Sequence, residues 1–161
     1  MLKIKKQLAV AALLAACLSV SIEAALAQDH HAHYDGGAAQ LTLNNGKKWA
    51  TDDNLRLAMA SIRDALAAEL PAIHSGKASA VQYQALAKKV NDQITFMVQN
   101  CKLEKNADTM LHLILAELTA GADAMASQNN SKANHSGAEK IAHALEDYAA
   151  YFNHPGWSSV K

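Results

Sequence analysis

The chain has 161 residues, a formal net charge of +0 and 19% charged side chains. It shows no basic patch and no acidic block, which argues against nucleic acid as a partner. Half of its residues are hydrophobic, few are aromatic, only two are prolines, and alanine and leucine recur throughout, a composition that favours helices over sheets.

The first element is a leader. Met1 to Lys6 is a short basic stretch, Leu8 to Val20 is apolar, and Ala25-Leu26-Ala27 matches the small-x-small signal for signal-peptidase cleavage. The apolar run, interrupted at Glu23, is too short for a stable membrane span. Cleavage after Ala27 removes three lysines and one glutamate. It leaves 134 residues with 12 basic and 14 acidic side chains, a charge of −2. That length suits one compact domain with its own core. The expected organisation is a leader over 1–27, an irregular histidine-containing arm over 28–50 and a helical domain over 51–161. A second exit competes with the first. Leu14-Ala15-Ala16-Cys17 has the form of a lipobox, which would place a lipid on Cys17 and tether the protein to a membrane. The residues after Cys17 remain apolar, whereas a tether is usually polar, so the cut after Ala27 is preferred. Both exits take the chain out of the cytoplasm, and the periplasm is the expected location.

After the cut the chain begins Gln28-Asp29-His30-His31-Ala32-His33. A histidine third from a free amino terminus forms a square-planar site from the α-amine, two deprotonated backbone amides and the imidazole. Copper(II) and nickel(II) favour that geometry. Gln28 and His30 define this site, and His31 and His33 add a looser one. Three of the eight histidines fall in these four positions, and a short His-rich tract is a compositional metal signal. The bland alternative is a solvated tail without a role.

Asp35-Gly36-Gly37 and Asn44-Asn45-Gly46 are turn signals in the arm. Trp49, at its end, is placed to lid one end of a bundle. Four amphipathic segments follow. The first runs from about Asp52 to Ile73, capped by Thr51 or Asp52, with Leu55, Met59, Ile62, Leu66, Leu70 and Ile73 in one stripe. Pro71 should kink its last turn and Gly76 should stop it. The second begins at Ser79, where Gln82 completes a capping box. Its stripe is Tyr83, Leu86, Val90, Ile94, Met97 and Cys101. The third starts near Asn106 or Asp108, and Ala107, Met110, Leu111, Ile114, Leu118, Gly121 and Met125 make its stripe. Leu113 and Leu115 broaden it, so it should be the most buried helix. Gly121 on that stripe points to close approach of a neighbouring backbone. The polar stretch from Ser127 to His135 reads as the longest connection. Ser136-x-x-Glu139 reads as the capping box of the fourth helix, with Ile141, Leu145, Tyr148 and Phe152 as its stripe and Pro155-Gly156 as its end. The fold expected is all-α, an antiparallel up-down-up-down four-helix bundle with an irregular N-terminal arm.

Cys101 is the only cysteine after the leader, so no internal disulfide forms. It reads as a buried apolar thiol, with a metal-ligand role and intermolecular pairing as the alternatives. Cys101, His112 and His154 are a weaker group of candidate ligands. Cys101 and His112 flank a short connection. However, His112 lies two residues from the stripe centre at Ile114, a rotation of about 200°, which turns it toward solvent. His143, between Glu139 and Asp147, reads as an ordinary surface pairing. A b-type haem would need an axial pair such as Met59 with His143, and only Met59 is on a core stripe. There is no C-x-x-C-H. The paired Glu-x-x-His of di-iron bundles is missing, since Ala142 follows Glu139 and Ala149 follows Glu146 at that spacing. No Ser/His/Asp order or phosphate-binding glycine loop appears, so no enzymatic activity is expected.

The stretches Asn44-Asn45-Gly46-Lys47-Lys48-Trp49, Asn100-Cys101-Lys102-Leu103 and His154-Pro155-Gly156-Trp157 resemble those of small exported bacterial four-helix-bundle proteins with histidine-bearing mature termini. The resemblance covers most of the chain after the leader. It implies a role in periplasmic metal handling and brings no catalytic residues with it. The leading expectation is therefore a periplasmic protein that binds a divalent metal, copper first, through Gln28, His30, His31 and His33, as a buffer, chaperone or resistance accessory. A structural or interaction module that docks another periplasmic protein is the runner-up, and a haem electron carrier comes third.

Overall fold

The structure, a computed structural model, describes residues 40–127 and 130–160. The leader, Cys17, the cleavage site and the tail residues Gln28, His30, His31 and His33 lie outside the described residues. Four helices make up the fold: α1 (Asp53–His74), α2 (Ala80–Asn100), α3 (Lys105–Ala126) and α4 (Ser131–Tyr151). The connections 75–79, 101–104 and 127–130 are short, which makes sequential helices antiparallel neighbours. α3 packs on both α2 and α4, and α1 packs on α2 and meets α4 to close the bundle. Among the described residues the only β-type pairing is two isolated bridges.

Local chemistry sets most boundaries. Asp52 caps α1, its carboxylate accepting from the Leu55 N–H at 2.7 Å. α1 continues through Pro71 and closes on Gly76, which sits at φ +68°; there Gly76 and Lys77 donate to the carbonyls of Ile73 and Ala72. Ser79 and Gln82 form the expected capping box at the start of α2. The apolar stripes of all four segments supply the core, although Leu70, Ile94, Cys101 and Met110 are only half-buried. α3 contributes eight buried residues, more than any other helix, as the breadth of its stripe predicts.

Three boundaries differ from expectation. α3 starts at Lys105, ahead of Asn106 and Asp108, because the Glu104 carboxylate takes the capping position and accepts from the Asn106 N–H at 3.1 Å. α4 starts at Ser131, capped by Asn130, so Ser136 and Glu139 are interior to the helix and the polar connection is much shorter. The deciding contact is tertiary. Asn134, 2% exposed, donates to the carbonyls of Met125 at 2.7 Å and Ser127 at 2.9 Å, which closes the open end of α3. Finally, α4 ends at Tyr151 rather than at Pro155-Gly156. Phe152 turns extended and pairs with Trp49: the Trp49 N–H donates to the Tyr151 carbonyl, and the Asn153 N–H to the Trp49 carbonyl, each at 2.8 Å.

Trp49 is buried at this end of the bundle, and its indole N–H donates to the Thr42 carbonyl at 2.6 Å. The described part of the arm, 40–50, is irregular and carries the expected turn at Asn45-Gly46, closed by Asn44 and Lys47. Gly121 meets a neighbouring backbone closely, as predicted; that neighbour is α4, at Gly137. A Cβ on Gly137 would lie 2.6 Å from the Gly121 carbonyl oxygen.

Candidate functional site

The N-termini of α1 and α3 and the C-termini of α2 and α4 share one end of the bundle, and the chemistry-bearing side chains concentrate there. Asp52 is the hub. One carboxylate oxygen caps α1, and the other accepts from the Lys102 N–H, tying the 101–104 connection to α1. The Cys101 thiol, at the C-cap of α2, lies near the same carboxylate. Burial, first, and then the Asp52 and Asp108 carboxylates push this thiol up to about 12. Cys101 therefore remains protonated at neutral pH and is a poor nucleophile. The thiol is half-buried rather than fully enclosed, because the chain leaves the helix there in extended conformation.

Cys101 and His112 border one cavity of about 170 Å³ between the end of α2 and the first turns of α3, together with Met97, Asp108, Leu111 and Leu115. The His112 side chain is 63% exposed, as its helical phase requires, and still reaches the rim. Its Nδ1 lies 2.9 Å from the Asp108 backbone carbonyl and 3.5 Å from the Asp108 carboxylate. The carbonyl can only accept, so Nδ1 carries the hydrogen and Nε2 is left with a free lone pair when the ring is neutral.

His154, the third member of the weaker group, does not border this cavity. It belongs to an aromatic cluster with Tyr148, Phe152 and Trp157. Burial raises the Tyr148 hydroxyl, so the phenol stays protonated, and it shares a hydrogen bond of 2.9 Å with His154 Nδ1. That bond engages Nδ1 of His154. The Arg63 guanidinium lies 5.0 Å from the centre of the Trp157 ring and helps hold the C-terminal segment on α1. Burial, followed by the nearby Arg56 and Arg63 charges, lowers the His154 pKa. A lowered folded pKa means the unfolded chain takes up a proton first. Stability should hold above about pH 6.5 and decline as pH falls below it. Urea unfolding between pH 7 and 5 checks this: the decline should be shallower in His154→Gln, and an equal slope in both proteins would refute the assignment.

The surface histidines pair along α4. His143 Nδ1 lies 3.4 Å from Glu146, and Glu139 pairs instead with His135 at 3.6 Å. Met59 is fully buried whereas the His143 side chain is 77% exposed, so the two do not face a common space as an axial pair would. Among the described residues no three His, Cys, Asp or Glu side chains converge to hold one metal ion, and no helix is long and apolar enough to cross a membrane. Of the site residues, Asp52 and Asp108 escaped the sequence reading. Asp52 was visible as a cap, but nothing in the sequence joins its second oxygen to a segment 50 residues away. No family model, no curated protein and no solved structure matches the chain.

Proposed function

We propose that this is an exported, periplasmic metal-binding protein that takes copper(II) on its histidine tail and serves as a copper buffer, chaperone or resistance accessory. One observation carries the reading: Gln28-Asp29-His30 stands directly behind the Ala25-Leu26-Ala27 cleavage signal, followed by His31 and His33. The cut that exports the chain also frees the amine that the four-nitrogen site needs. Copper(II) rewards that square-planar set above the other common divalent ions. The bundle supplies a stable body that carries the tail, and α1 to α4 have no step to perform in this reading.

The test is a copper(II) titration of three proteins purified without a histidine tag. They are the exported chain, its His30→Ala, His31→Ala, His33→Ala variant, and a chain beginning at Leu41. The exported chain should give the d–d band of a square-planar nitrogen site, and the other two should lose it with helicity unchanged. Binding should weaken as pH falls through the histidine range, because only neutral imidazole coordinates. If Gln28 has cyclised, its amine is blocked and only the looser multi-histidine binding remains. Equal copper(II) affinity in all three proteins would overturn the proposal.

A further inference from the structure

We infer that the cavity between the end of α2 and the first turns of α3 is a copper(I) site, with the Cys101 sulfur and His112 Nε2 as its two ligands. The site is separate from the tail and stands whether or not the tail binds copper(II). Four features of the cavity point the same way. It brings a thiol and an imidazole to one space of about 170 Å³, large enough for a bare ion. The Asp108 carbonyl occupies His112 Nδ1 at 2.9 Å and so leaves Nε2 as the coordinating nitrogen, the arrangement in which an outer partner fixes the tautomer of a metal-binding histidine. Met97 lies in the wall, a residue that carries a third soft donor. Finally, the Asp108 side chain borders the same cavity, and a carboxylate there favours a bound cation.

Copper(I) fits this set better than a divalent ion does. It is soft, prefers thiolate and thioether sulfur, and is satisfied by two donors. A site of two ligands needs no convergence of three, which these residues do not provide. Binding breaks the sulfur–hydrogen bond of Cys101, forms a sulfur–copper bond and releases the proton to solvent. Copper stays monovalent and no electron moves. The thiolate–copper unit is neutral, so it does not repel the Asp108 carboxylate as the free thiolate would.

The experiment uses the reduced full chain carrying His30→Ala, His31→Ala and His33→Ala, which silences the tail. Copper(I) is partitioned between this protein and the chromogenic chelator bicinchoninate under anaerobic conditions. The protein should withhold one equivalent, and Cys101→Ser on that background should weaken it about 100-fold or more, since the soft thiolate provides the selectivity. His112→Ala, at an exposed position, should weaken it about 10-fold or more, with the helical circular dichroism unchanged. X-ray absorption should find sulfur and nitrogen neighbours on the copper. If Cys101→Ser fails to fold, alkylation of native Cys101 reads the same contact, and copper(I) should slow it about 10-fold or more. The inference is overturned if the tail-silenced chain retains no copper(I), if Cys101→Ser binds it equally well, or if alkylation is unaffected. Copper(II) binding by the unsubstituted chain reports on the tail alone, so failure of one proposal leaves the other to be judged by its own result.

Discussion

Leu118→Ala is expected to lower the stability of the bundle by about 4 kcal/mol, near the upper end of the range for leucine truncation in a packed core. Leu118 is 0% exposed and sits midway along α3, the helix that packs on both α2 and α4. Two terms add. The removed methyl and methylene groups lose their transfer energy, and the cavity left behind costs more where the surroundings cannot collapse into it. A site enclosed by helices on two sides has little room to collapse. Leu57→Ala is the control. The same atoms are removed from a leucine 64% exposed on α1, and the cost should stay within about 0.5 kcal/mol. Equilibrium urea unfolding followed by helical circular dichroism measures both. A Leu118→Ala loss below about 0.5 kcal/mol would mean that α3 is not the centre of the core.

That prediction was available from the sequence, because a three-four repeat of apolar residues leaves little choice about which face of a helix is buried. The same reasoning placed Leu55, Val90, Ile114 and Tyr148 inside, and the local chemistry of Ser79-x-x-Gln82 and Gly76 placed two helix ends. What stayed illegible depended on contacts between distant segments. Several residues between Asn106 and Ser136 are chemically suitable caps, and residue type alone cannot choose among them. Asn134 decides the start of α4 by reaching carbonyls of another helix, and Phe152 leaves its helix to meet Trp49.

The candidate sites divide along the same line. The short 101–104 connection made proximity of Cys101 and His112 readable, and helical phase gave the exposure of His112. The shared cavity was not readable, because it depends on how far α2 and α3 splay at their ends and on Asp52 arriving from α1. His154 looked like a free ligand in the sequence. Tyr148 engages its Nδ1, and Trp157 packs against both rings, contacts between side chains that residue spacing does not announce.

Gly137→Ala is the second large effect, and it sets helix propensity against packing. In a helix interior alanine is favoured over glycine by about 1 kcal/mol, so propensity alone predicts a gain. Here the added Cβ would lie 2.6 Å from the Gly121 carbonyl oxygen, 2.7 Å from the Met125 nitrogen and 2.8 Å from the Met125 Cγ. Two of these three atoms are backbone and cannot rotate aside. The clash is relieved only if α4 moves away from α3, which loosens the contacts around Ile141 and Met125 as well. Overpacking of this kind costs about 1–3 kcal/mol for a side chain that can adjust, and a backbone obstacle belongs at the upper end. The net expectation is a loss of about 2 kcal/mol despite the gain in propensity. Gly121→Ala should cost less, because its nearest obstacle, the Ile141 Cδ1 at 2.7 Å, is the movable tip of a side chain, and its one backbone obstacle, the Gly137 carbonyl oxygen, stands farther off at 2.9 Å. The double variant should cost less than the sum, since helices already separated for one methyl admit the other. Thermal and urea unfolding of the three variants distinguish these outcomes. A stabilised Gly137→Ala would show that α3 and α4 do not approach as closely as Gly121 and Gly137 permit, and that propensity alone governs this position.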